Sequence, residues 1–322
     1  MNTPTDAGVM SGPIAIVGAG LIGRAWAVVF ARGGHRVRLF DIAAEALDAV
    51  EPWLAATAQT LASHGLIDDP QKIEGAVDLH TDLATALRGA QYVQECGPET
   101  VAAKRALFGQ LDDLCGPQVI LASSTSGIYA SQFTADLAHP ERCLVAHPVN
   151  PPHLVPVVEL VPAPDTAPWA VTRARELLTL AGQVPIVLHR EIQGFALNRL
   201  QGALLEEALR LVAGGYIDPE DLDATVKHGL GLRWSFMGPL ETIDLNAPGG
   251  VADYARRYGP LYRALEKELA HLDPWDPAVV AAVEDARRRQ LPLAQLAERQ
   301  VWRDRRLMAL VAHKARDSDG DT

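Results

Sequence analysis

The chain has 322 residues, 48% hydrophobic and 21% charged, the balance of an ordinary globular protein long enough for two domains. Its net charge of −11 argues against nucleic acid or an anionic membrane surface as a partner. Cys96, Cys115 and Cys143 are odd in number and lack metal-ligand spacing, so they read as buried free thiols of a reducing compartment. No apolar run reaches membrane-spanning length without a charge, and residues 1–11 have neither the basic start nor the apolar run of a signal peptide. The cytoplasm is the expected location. Residues 317–322 are polar and expected to fray.

Residues 13–17 read as a short buried strand that runs straight into the turn GAGLIG at 18–23. An apolar helix follows over 22–32, stopped by Gly33 and Gly34, and then a strand over 37–40 closed by Asp41. This is the start of a dinucleotide-binding fold. Its three glycines have separate tasks: Gly18, Gly20 and Gly23 serve a tight turn, close approach of backbone to a pyrophosphate, and close helix–strand packing. The helix N-terminus, flanked by Leu21 and Ile22, faces the phosphates with its partial positive charge. Asp41 lies 18 residues after Gly23, where an acid accepts from the adenine ribose hydroxyls. It would repel a 2′-phosphate and no arginine follows it, so the expected cofactor is NAD rather than NADP.

Further along, a long helix is expected over 43–64, a shorter one near 82–87, a strand over 92–96, a helix over 99–114 and a strand over 119–123. Residues 144–161 then read as an apolar strand ending at His147, a proline-rich loop, and a second apolar strand carrying Glu159. Pro148, Pro151, Pro152 and Pro156 bar a helix here and stiffen the connection. A helix over 166–181 and a strand over 184–189 follow. Alternating strands and helices imply an α/β Rossmann domain, a doubly wound and mostly parallel sheet covered by helices. From Gly194 the strand signal ends. Leu197, Leu200, Leu204, Ala208 and Leu211 recur at helical spacing, and 218–228, 249–270, 277–289 and 293–315 also read as helices. The switch sets a boundary between a dinucleotide-binding domain, 1–191, and an all-helical domain, 192–322.

A stiff loop between two strands can hold one imidazole and one carboxylate together at one end of a sheet. Histidine titrates near neutrality, and a carboxylate on its far nitrogen fixes the tautomer and stabilises the imidazolium. His147 with Glu159 is therefore a candidate proton-transfer pair; the plainer alternative is a buried histidine satisfied by a carbonyl.

Several spacings coincide: GAGLIG at 18–23, SSTS at 123–126, HPVNP at 147–151, Glu159, and GFALNRL at 194–200. In this combination the chain resembles the L-3-hydroxyacyl-CoA dehydrogenase superfamily over nearly its whole length. The resemblance implies a Rossmann domain followed by a helical domain that dimerises, with NAD as cofactor. It also implies catalytic roles for His147, Glu159, Ser126 and Asn198, and further cofactor contacts at Glu99 and Lys104. His147 serves as both base and acid, so no metal is required.

Within the superfamily, the stretches 149–152, with Asn150 as a substrate contact, 158–161 and GLGLRWSFMGPLET at 229–242 are similar to the branch of L-gulonate 3-dehydrogenase and λ-crystallin. Hydroxyacyl-CoA enzymes place basic residues after the second strand to meet CoA phosphates. Here residues 41–71 contain no Lys or Arg and six acids, Asp41, Glu45, Asp48, Glu51, Asp68 and Asp69. Arg233, expected in a glycine-bounded loop, suits the carboxylate of a free acid. The expected activity is NAD-dependent oxidation of the 3-hydroxyl of a small, L-gulonate-like free acid. The alternatives are a short-chain L-3-hydroxyacyl-CoA dehydrogenase and an NAD-binding structural protein of the crystallin type.

Overall fold

A computed structural model of the chain describes residues 12–317; the expectations for 1–11 and 318–322 lie outside them. The described residues divide into two compact units, one running to Ala196 and resuming at Val301, the other Leu197–Gln300.

The first unit is built on a single sheet of eight strands: β1 (Ile14–Val17), β2 (Val37–Phe40), β3 (Val77–His80), β4 (Tyr92–Glu95), β5 (Ile120–Ser123), β6 (Cys143–Pro148), β7 (Val157–Pro162) and β8 (Val184–Val187). Their order is β3-β2-β1-β4-β5-β6-β7-β8. All neighbours are parallel except β6 and β7, which are antiparallel. β1, β4, β5 and β6 are buried at every residue. Strands covered on both faces need continuous apolar runs rather than alternation, and IAIV and ILAS are such runs. One face packs on Trp26, Phe30, Leu54 and Leu177, and the other on Phe108, Leu111 and Phe133. This is the Rossmann architecture that the glycine turn and the strand–helix alternation imply.

Three local expectations change. The helix over 43–64 is two helices, Ala44–Asp48 and Val50–Ser63. Pro52 has no N–H to donate back to Asp48, so the first helix cannot run through. A helix at Pro70–Glu74, capped by Asp69, and strand β3 are additional. β3 is a short edge strand only partly buried along its length, and its VDLH carries no apolar run to reveal it. The last helix, Leu296–Asp317, does not lie wholly in the second domain as the boundary at 191 implies. From Val301 it belongs to the first unit, where Leu307 and Met308 join the core.

The second unit is all helical: Leu197–Ala213, Pro219–Thr225, a π-helical turn Val226–Leu230, Gly231–Trp234, Pro239–Leu245, Gly250–Glu268 and Pro277–Gln290 are its main elements. No helix among the described residues is long and apolar enough to cross a membrane.

Candidate active site

The carboxyl ends of the parallel strands gather the candidate residues of the first unit. β1 ends at the glycine turn, β2 at Asp41, β4 at Glu95, β5 at Ser123, and His147 stands at the end of β6. Ligands of open α/β sheets bind at this edge, where successive loops splay apart.

The glycine turn fits a dinucleotide. Gly18 has φ +110°, and a Cβ there would lie 2.7 Å from the Cys96 carbonyl oxygen. A Cβ at Gly23 would lie 1.7 Å from the Gly18 oxygen, so only glycine lets the Leu21–Arg32 helix sit on its turn. A Cβ at Gly20 would meet nothing within 4 Å. Gly20 is exposed, beside the exposed Leu21 and half-buried Ile22, so the chain itself does not require a glycine there. Asp41 ties this turn to β2: its Oδ2 accepts from the Ala19 N–H at 2.8 Å and its Oδ1 from the Ala43 N–H at 2.9 Å. A carboxylate has about four acceptor positions, so it can still receive ribose hydroxyls.

β6 and β7 place His147 and Glu159 directly opposite each other. His147 Nδ1 lies 2.8 Å from Glu159 Oε2, with His147 5% exposed and Glu159 fully buried. The other carboxylate oxygen, Oε1, accepts from the Ala196 N–H at 2.8 Å. Phe195, with φ 50°, packs its ring 5.4 Å from the imidazole. The twelve-residue spacing is the register of an antiparallel pair whose connection includes a turn in which Leu154 and Val155 N–H both donate to Pro151 O. Asn150 is exposed at the start of that turn, before a cis peptide bond to Pro151.

Behind β4 and β5 sits a second constellation. Lys104 Nζ, on the Val101–Leu114 helix, lies 3.1 and 2.9 Å from the two Glu95 oxygens and 3.3 Å from Glu99 Oε2. The resemblance implies a cofactor contact for Lys104, yet its side chain is only 1% exposed. Glu99 Oε1 accepts from the Thr125 hydroxyl at 2.5 Å and from the Ser126 N–H at 2.8 Å. Burial works to raise the Glu99 pKa, but these two bonds and the Lys104 charge outweigh it and hold the carboxyl below its ordinary value. Ser126 itself is exposed.

Comparison with known proteins gives this geometry a family. The model of the 3-hydroxyacyl-CoA dehydrogenase NAD-binding domain matches residues 13–192, and that of the C-terminal domain matches 194–277. The chain belongs to the 3-hydroxyacyl-CoA dehydrogenase family. It is 45% identical to the lambda-crystallin homolog of Bos taurus, over 94% of this chain and 96% of that one. It is 38% identical to the L-carnitine dehydrogenase of Streptomyces griseus subsp. griseus, over 85% and 82%. Among solved structures it superposes on 5-formyl-3-hydroxy-2-methylpyridine 4-carboxylic acid 5-dehydrogenase, an NAD⁺-dependent dismutase, with TM-score 0.80, 31% identity and coverage of 96% and 99%. The protein is accordingly an NAD-dependent dehydrogenase acting on a CH–OH group.

Two candidate residues of this dehydrogenase lie in the second unit. Asn198 is half-buried in the first turn of the Leu197–Ala213 helix. Arg233 is exposed, but the loop expected around it is helical: the π-helical turn Val226–Leu230 continues into Gly231–Trp234. Gly229 and Gly231 lower helix propensity without ending a helix that Pro219 has already nucleated. π-helical turns of this kind recur at functional sites.

Reading the sequence missed Glu95, Ser123 and Ser124. Ser124 Oγ accepts from Trp26 Nε1 at 3.2 Å and from Gln94 Nε2 at 2.7 Å, and Gln94 Nε2 also donates to Ala146 O at 3.3 Å, one residue before His147. The available signal was the acid in YVQE: a carboxylate at the end of a buried strand demands a partner.

Proposed function

We propose that the protein oxidises the 3-hydroxyl of a small free hydroxy acid, L-gulonate or a close analogue, to the 3-keto acid. The observation that carries this reading is the buried His147–Glu159 pair. Glu159 accepts the Nδ1 proton at 2.8 Å, which leaves Nε2 unprotonated and directed away from the carboxylate, ready to take the hydroxyl proton. The Ala196 N–H holds the second Glu159 oxygen, so the carboxylate orients the ring without itself moving a proton. A base placed this way contributes ~10²–10⁴-fold in rate. Ser126 and Asn198 hold the hydroxyl oxygen and polarise the product carbonyl. NAD, held by the Gly18–Gly23 turn and Asp41, supplies the hydride acceptor when bound.

Three observations support a free acid over a CoA thioester. Residues 41–71 lack any Lys or Arg, and Glu45, Asp48 and Glu51 are exposed there, so a polyphosphate tail would meet like charge. Arg233 presents an exposed guanidinium for which no ion pair forms among the described residues. The L-carnitine dehydrogenases among the relatives are named for a hydroxy acid with a free carboxylate. Asn150, exposed on the loop after His147, is a further substrate contact. A homodimer through the second unit fits the wide apolar surface of its helices, and an intact His147–Glu159 pair favours an enzyme over a purely structural protein.

The test is one NAD-linked assay comparing L-gulonate, L-3-hydroxybutyrate and 3-hydroxybutyryl-CoA, on the wild type and on Arg233→Met. A free acid should be preferred, and Arg233→Met should raise its KM about tenfold, in line with ~1.5–3 kcal/mol for a charged hydrogen bond. A wild type that prefers the thioester, or an Arg233→Met enzyme with unchanged KM, would overturn the assignment.

A further inference from the structure

The segment that leads out of the first unit is held at both ends. The Glu191 carboxylate accepts from the Ser131 N–H at 2.9 Å and from the Ser131 hydroxyl at 2.7 Å, and the Ala196 N–H donates to Glu159 Oε1 at 2.8 Å. Between these anchors the chain kinks: Gly194 has φ 75° and Phe195 φ 50°. Glycine takes the left-handed region freely, but phenylalanine there is strained, and such a residue persists only where its surroundings hold it. Among the described residues Phe195 is the only non-glycine residue with a positive φ.

The kink delivers a ring to the base. Phe195 is fully buried and joins the core cluster that includes Val145 and Val161. These valines lie two residues from His147 on β6 and from Glu159 on β7, so all four share one face of the sheet. The Phe195 and His147 ring centroids are 5.4 Å apart with their planes inclined at 55°, within the range in which aromatic rings attract. The bond to Glu159 fixes His147 at Nδ1, but a ring held at one atom can still swing about that point. Phe195 walls one side of that swing. One carboxylate serves both contacts: Glu159 Oε2 meets the imidazole at 2.8 Å, and Oε1 holds, through Ala196, the backbone beside Phe195.

We propose that Phe195 is a positioning residue for the base, and that the left-handed kink at Gly194 and Phe195 exists to set its ring against the imidazole. This rests on the reading that His147 takes the substrate proton. The physical gain is preorganisation: an imidazole that cannot swing keeps Nε2 aimed before substrate arrives, and small misplacements of a reacting group are costly in rate.

The experiment is a double-mutant cycle on Phe195→Leu and His147→Gln, with kcat, KM and the NADH dissociation constant measured for each. Leucine keeps an apolar side chain in the buried site but removes the flat ring. Phe195→Leu alone should lower kcat on the order of tenfold, with KM and NADH affinity within about twofold of wild type. In the His147→Gln background it should cost nothing further, because no base is left to position. Gly194→Ala keeps the ring but strains the kink, and should show the same pattern, which supplies the test should Phe195→Leu fail to fold. Full kcat in the folded variants, or weaker NADH binding at unchanged kcat, would overturn the proposal. An equal loss in both backgrounds would show that Phe195 supports the fold rather than the base. If His147→Gln alone keeps its rate, the assignment of the base fails first, and Phe195 loses the group it would position.

Discussion

In the first unit β4, β5 and β6 are buried along their whole lengths, whereas the helices Leu197–Ala213, Pro219–Thr225 and Pro277–Gln290 of the second have no buried residue among those described. The second unit is not short of apolar side chains. Leu200 is 68% exposed, Leu240 73% and Leu261 53%, with Tyr262, Trp275 and Phe236 also open. A sheet with helices on both faces closes its own core. A set of amphipathic helices does so only where their apolar stripes meet, and stripes left open on this scale mark an interaction surface. The two units differ in self-sufficiency: one closes its own core and holds a rigid frame for chemistry, and the other leaves apolar faces open, for which a second copy of the chain is the proposed cover.

The sharpest test of the rigid frame is His147→Gln. Turnover should fall ~10²–10⁴-fold while NADH binding stays near wild type, since the glycine turn and Asp41 are untouched. Glu159→Gln should lose less, because it orients the base without taking the substrate proton. Steady-state rates with NADH fluorescence titration decide it; a His147→Gln enzyme of near-normal rate would remove the pair from the mechanism.

The open surface can be broken by a charge. Leu261→Asp should shift a dimer to monomer by light scattering at micromolar concentration and reduce helicity by circular dichroism, with NADH still bound by the first unit. A hot-spot residue of this kind is worth ~2–4 kcal/mol of association. A wild type that is already monomeric and fully helical would defeat the comparison.

Asp41 gives a smaller and more specific effect. The wild type should favour NAD over NADP, and Asp41→Ala should narrow that preference about tenfold, roughly 1.4 kcal/mol. An equal kcat/KM for NADP in the wild type would show that Asp41 does not read the ribose.

The last effect is one of slope, and it belongs to the self-contained unit. His153 is 6% exposed, and burial first, then the charges of Arg32 and Arg303, lower its pKa from 6.5 to about 4. Folding therefore favours neutral His153. Its contribution is fully present above about pH 6.5, where the unfolded imidazole is also neutral, and declines as pH falls toward about 4, because the unfolded chain binds the proton first. The loss is on the order of 1–3 kcal/mol across that window. His153→Phe should flatten the decline in denaturant midpoint between pH 6.5 and 4; an unchanged slope would place the acid sensitivity elsewhere.

What the sequence determined by itself are the features written in local chemistry. The glycine turn was legible because only glycine tolerates φ +110° at Gly18 and a helix pressed on the Gly18 oxygen at Gly23. The sheet, apart from its edge strand β3, was legible from apolar runs punctuated by glycine and proline, and the end of strand pattern near Gly194 marked the change to helices. Only the tertiary structure decided that His147 and Glu159 are register partners on antiparallel strands, that Lys104 is shut between two acids, and that the chain returns at Val301 to the first unit. Each depends on contacts between residues distant along the chain. Periodicity reports which face of an element is apolar, but not which neighbour covers it or where a buried charge finds its partner.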